Sequence, residues 1–111
     1  MHEQQRDRDV GVRDEADRMA VMDRWLGEVC TELGVDRSVL DASTIELLAL
    51  IKSVAHGPSR PGAPMTAFLI GLASGAAAAD PGSQAVAVAD RIVTVNRLVD
   101  RWPAPSATGT P

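Results

Sequence analysis

The residue types most able to do chemistry gather at one place in the sequence. His56, Arg60 and Thr66 surround the stretch GPSRPGAP, whose prolines Pro58, Pro61 and Pro64 stiffen the backbone between two helical patterns. A helix that starts after such a loop presents unpaired N–H groups and a partial positive charge, and Arg60, with His56 when protonated, adds donors suited to a phosphate or carboxylate. That makes an anion pocket of His56, Arg60 and Thr66. An equally physical reading has His56 complementing the dipole at the end of its helix, Arg60 in a surface ion pair and Thr66 helping to cap.

Other reactive types are scattered. Cys30 lies on an apolar stripe beside Val29 and Leu33, as expected of a buried structural thiol, and has no nearby histidine to form a dyad. The acidic residues Asp14, Glu15, Asp17 and Asp23 suit the start of a helix, and without converging histidines they define no metal site. No phosphate loop, dinucleotide fingerprint, zinc spacing or nucleophile elbow occurs. The expectation is a non-catalytic chain with no catalytic residues, metal ligands or cofactors.

Four helical patterns must position the loop. The first runs from about Asp17 to Leu33, with Met19, Met22, Trp25, Leu26, Val29, Cys30 and Leu33 at steps of three and four, and Gly34 stops it. The segment VDRSVLDA, Val35 to Ala42, predicts a short extra turn. Ser43 and Glu46 then have capping-box spacing ahead of Ile45, Leu47, Leu48, Leu50, Ile51, Val54 and Ala55, a central helix expected to be the most buried, with Gly57 at its C′ position.

Pro64 suits the first turn of a third helix, to about Ala79, in which Met65, Phe68, Leu69, Leu72, Ala73 and Ala76 recur at helical spacing. Its other face (Ala67, Gly71, Ser74, Gly75, Ala78) is small enough for a neighbouring backbone to come close. Asp80 followed by Pro81 reads as an N-cap with proline at N1, opening a fourth helix through Ala85, Val88, Ile92, Val95, Val99 and Trp102. AVAVA and IVTV also alternate with period two, a competing strand reading. Trp25 and Trp102 sit in register with apolar stripes, which points to core packing; the alternative is an exposed anchor for a partner.

The fold class is therefore all-α: a compact four-helix bundle-like domain over residues 17–102, with a short extra turn between helices 1 and 2. Residues 1–16 read as a disordered charged arm and 103–111 as a disordered Pro, Ser, Thr and Gly tail. With 111 residues there is room for one core. One Phe, two Trp and no Tyr leave that core to aliphatic residues and alanine, so it should be thin, and a homo-oligomer would supply what it lacks. A net charge of −4 with no basic stripe argues against nucleic-acid binding. Pro61 to Ala79, rich in alanine and glycine, is a poor membrane span, and the charged start and single cysteine fit a cytoplasmic protein.

The string VAHGPSRPGAPMTAFLIGLASG from Val54, with DRWLGEVCTELGVD from Asp23, resembles a small bacterial family catalogued as domain of unknown function 6457. The likeness covers roughly Met22 to Leu98 and rests on His56, Gly57, Arg60, Pro61, Pro64, Phe68, Leu69, Gly71 and Gly75. A longer charged arm and Pro58 and Ser59 in the loop are departures. The resemblance implies no established activity. It implies an association with a nucleotidyltransferase-like domain for molybdenum-cofactor guanylylation, a catalytic part this chain lacks. The expected function is thus a non-catalytic accessory or interaction module linked to molybdenum-cofactor (molybdopterin guanine dinucleotide) biosynthesis. Its expected partner is a nucleotidyltransferase-like or molybdoenzyme maturation protein. The alternative is a small domain binding a nucleotide or other phosphorylated ligand through His56, Arg60 and the start of helix 3.

Overall fold

Signals at helix ends explain most of the backbone course. A computed structural model describes residues 2–103, with side chains from residue 11 onward, so the tail expected over 103–111 lies outside the described residues from 104 on; it contains α1 (His2–Leu33), α2 (Arg37–His56), α3 (Gly62–Ala77) and α4 (Pro81–Asp100). The class is all-α, and no strand occurs among the described residues, which removes the strand reading of Val86 to Val95. Its contacts divide the chain into two units, Met1–Arg37 and Ser38–Pro111.

In the first unit α1 begins well before Asp17. Residues 2–16, expected as a disordered arm, belong to the helix. Their Gln, Arg, Glu and Ala content favours helix, and the pair of Arg18 Nη2 with Glu15 Oε2 at 2.8 Å, three residues apart, adds to it. Gly34 ends the helix as expected, with φ of 67°. The Val35 N–H donates to the Cys30 carbonyl at 2.9 Å and the Gly34 N–H to that of Thr31 at 3.3 Å, closing a Schellman motif.

Arg37 then folds back on α1. Its Nη1 donates to the Asp23 carbonyl at 2.9 Å while Nη2 pairs with the Asp23 carboxylate. A Cβ added at Gly27 would lie 3.1 Å from Arg37 Nη1, so the glycine leaves the guanidinium its place.

The extra turn expected at Val35 to Ala42 is not separate, because α2 is continuous from Arg37. Ser43 is accordingly no N-cap. It lies inside the helix, buried, and its hydroxyl donates to the Val39 carbonyl at 2.8 Å. The expected start of α4 holds: Asp80 is the N-cap, its Oδ1 accepting from the Ser83 N–H at 2.9 Å, with proline at the first helical position.

The core of the second unit joins Leu50 and Val54 of α2, Ala63 and Ile70 of α3, and Val88 and Ile92 of α4. Leu47, Ile51, Ala55, Val95 and Val99 pack around it. The α4 stripe read from the sequence is thus the buried one, apart from Trp102, which is exposed. α2 is covered on one face only: Ile45 and Leu48, expected inside, stand in solvent. Trp25 is exposed too, so neither tryptophan fills a core.

The largest departure is in α3. Its inner face consists of Ala63, Ala67, Ile70 and Ser74, spaced four, three and four residues apart. The stripe of Met65, Phe68, Leu69 and Leu72, which periodicity alone would assign to the core, points outward. Small side chains allow the close helix approach that the sequence suggested, but Gly71 and Gly75 take no part, since a Cβ at either would meet nothing within 4 Å.

Candidate functional site

The junction between α2 and α3 is built by backbone hydrogen bonds. The Gly57 N–H donates to the Ser53 carbonyl at 2.9 Å, and the Ser59 N–H to that of Val54 at 3.0 Å. A Cβ at Gly57 would come within 2.9 Å of the Ser53 carbonyl oxygen, so glycine is needed there for close approach and not for a positive φ.

His56 and Arg60 both stand exposed at this junction, and among the described residues neither enters an ion pair. Thr66 is half-buried, and its hydroxyl donates to the Gly62 carbonyl at 2.8 Å, one helical turn back. The start of α3 has few donors to spare. Its Gly62 N–H bonds the Ser59 hydroxyl at 3.1 Å, its Ala63 N–H bonds the Arg60 carbonyl at 3.2 Å, and Pro64 has none. Cys30 is a half-buried free thiol. No group of three or more His, Cys, Asp or Glu among the described residues is placed to hold a metal ion.

A second surface was not singled out by motif reading. Met65, Phe68, Leu69 and Leu72 are 61%, 65%, 59% and 61% exposed and lie on one face of α3, opposite Ala63, Ile70 and Ser74. No Asp, Glu, Lys or Arg occurs anywhere in α3. Beside this ridge runs an apolar groove of about 280 Å³ between α3 and α4, walled by Leu69, Ala73, Val95 and Leu98 with Arg91 and Thr94. Arg91 is half-buried, and its Nη1 donates to the Ala87 carbonyl at 3.2 Å.

The available signal was the lack of charge around the whole of α3. A helix apolar all round does not say which side is inside.

Fold and surface together define an all-α helical chain whose α3 presents an uncharged apolar ridge. The chain belongs to the family described as Domain of unknown function (DUF6457), whose model matches residues 17–107, a wider span than the motifs that suggested it. No curated protein and no solved structure matches the chain. Among the described residues no helix is long and apolar enough to cross a membrane.

Proposed function

We propose that this chain is a non-catalytic helical interaction module serving a protein partner in molybdenum-cofactor maturation. The observation that supports the first half is the α3 ridge. Large apolar side chains set together in water are unfavourable unless something covers them, and patches of this kind are where proteins meet. The tie to molybdenum-cofactor biosynthesis rests on the association implied by the family resemblance. Affinity capture with the intact chain tests it: a nucleotidyltransferase-like or molybdoenzyme maturation protein is the expected co-purifying partner, and its absence refutes the link.

A second reading, an anion site for a phosphorylated ligand, draws support from His56 and Arg60 being exposed at one junction. The N–H groups already engaged at Gly62 and Ala63 leave such a ligand to the two side chains. Titration of nucleotides and a pterin phosphate against wild type and Arg60→Ala decides it; no binding to either protein removes the reading.

A further inference from the structure

We infer that the outward face of α3 is a homodimer interface, in which Phe68 of each copy seats in the α3–α4 groove of the other. This rests on reading that face as a contact surface and names its occupant as a second copy of the chain.

Three observations favour a second copy. The first is area. Four large side chains at these exposures amount to roughly 400–500 Å² per copy, the size of a patch that on a monomer is often functional. Covering two such ridges and the adjoining groove walls removes on the order of 1,000 Å² in total, above crystal-contact size and at the lower bound for a biological interface, as suits a dimer that dissociates on dilution.

The second is charge. α3 carries no ionisable side chain, so two ridges meet without like-charge repulsion, and the one charged side chain lining the groove, Arg91, already donates to the Ala87 carbonyl of its own helix. It also lacks the lysines and arginines that a helix lying on an anionic membrane uses.

The third is shape. The α3 surface carries both a projecting ridge, Phe68 with Met65 and Leu72, and a groove lined by Leu69, Ala73, Val95 and Leu98, with Arg91 and Thr94 on the α4 side. A two-fold axis places each knob in the other copy's hole, the self-complementary arrangement of an isologous dimer. Gly71 and Gly75, with open space where a Cβ would be, border the ridge one turn apart and permit the two α3 helices to cross closely.

A dimer also explains the thin core. Among the described residues the buried apolar set is Leu50, Val54, Ala63, Ile70, Ala87, Val88 and Ile92, while Phe68, Trp25 and Trp102, all the aromatic residues of the chain, are exposed. Burying Phe68 and its neighbours against a second copy adds the apolar area the monomer lacks.

The test is analytical ultracentrifugation of the full chain across the micromolar range. Wild type is expected to sediment at twice the chain mass, with dissociation on dilution. Leu72→Glu, which places a charge at the centre of the interface, should raise the dissociation constant about 100-fold or more with the helical circular dichroism unchanged. Phe68→Ala should raise it about tenfold, and this variant decides the matter if Leu72→Glu fails to fold. Val21→Glu, at an exposed position of α1, should leave the dimer intact. The proposal is overturned by a wild type that is monomeric throughout, by folded α3 variants that dimerise as wild type does, or by a Val21→Glu variant that dissociates as they do. Capture of a maturation protein by a monomeric wild type would keep the proposed function and reject the dimer; a dimer that captures none does the reverse.

Discussion

Replacing Ser74 by alanine should stabilise this protein. Ser74 is 2% exposed on the inner face of α3, and its hydroxyl oxygen, buried from solvent, has no hydrogen-bond partner. Folding strips that hydroxyl of water and returns nothing, a cost of about 1–3 kcal/mol for an unsatisfied buried polar group in mutational data. Alanine removes the group, adds a few tenths of a kcal/mol of helix propensity, and leaves a gap smaller than a methyl group. The net gain is about 1 kcal/mol, which in a domain of this size raises Tm by roughly 4–8 °C. Ser43 provides the internal comparison. It is buried too, but its hydroxyl donates to the Val39 carbonyl, so Ser43→Ala has no unsatisfied group to remove and should change stability by less than about 0.5 kcal/mol. Urea denaturation followed by circular dichroism measures both. A Ser74→Ala variant less stable than wild type would show that the hydroxyl is satisfied and that the reasoning fails.

Other outcomes follow from single contacts. The Ser83 hydroxyl, then the Ser83 N–H, hold the Asp80 carboxyl below its ordinary value. The folded state therefore favours the carboxylate; the stabilisation is complete above the unfolded pKa and fades as pH falls through the folded one. Asp80→Asn, which still caps without titrating, should match wild type at neutral pH and lose less Tm than wild type between pH about 5 and 3. Gly34→Ala forces an L side chain into a left-handed conformation and should cost about 1 kcal/mol, read as a lower urea midpoint. Arg37→Ala should cost less than about 1 kcal/mol, because the Asp23 carboxylate it pairs with is largely in water; a salt titration that leaves the difference unchanged would contradict an electrostatic origin.

Local chemistry made much of the fold legible. Gly34 and the Asp80–Pro81 pair set helix ends because backbone conformation and an N-cap carboxylate act on neighbouring residues alone. The α4 stripe was legible because charged and polar residues mark its outer side. The α2 start was not. Ser43 and Glu46 have capping-box spacing, yet the helix extends back to Arg37, and inside a helix a serine side chain bonds the preceding turn instead of capping.

α3 was the least legible element. Periodicity identifies a stripe but not its direction, and here close packing through Ala63, Ala67 and Ser74 put the larger stripe outside. The candidate anion residues were legible as sequence neighbours. That the Gly62 and Ala63 donors are engaged locally depends on loop geometry, which spacing does not encode.

The orientation of α3 underlies both the interaction surface and the dimer, and one comparison probes it. Urea unfolding of Ile70→Ala and Leu72→Ala is measured in dilute solution, where association is negligible. Ile70, buried, should lose about 2–4 kcal/mol and Leu72, exposed, less than about 0.5 kcal/mol. Equal losses, or a larger one at Leu72, would mean that the Phe68–Leu72 stripe is the core and that no apolar ridge faces out.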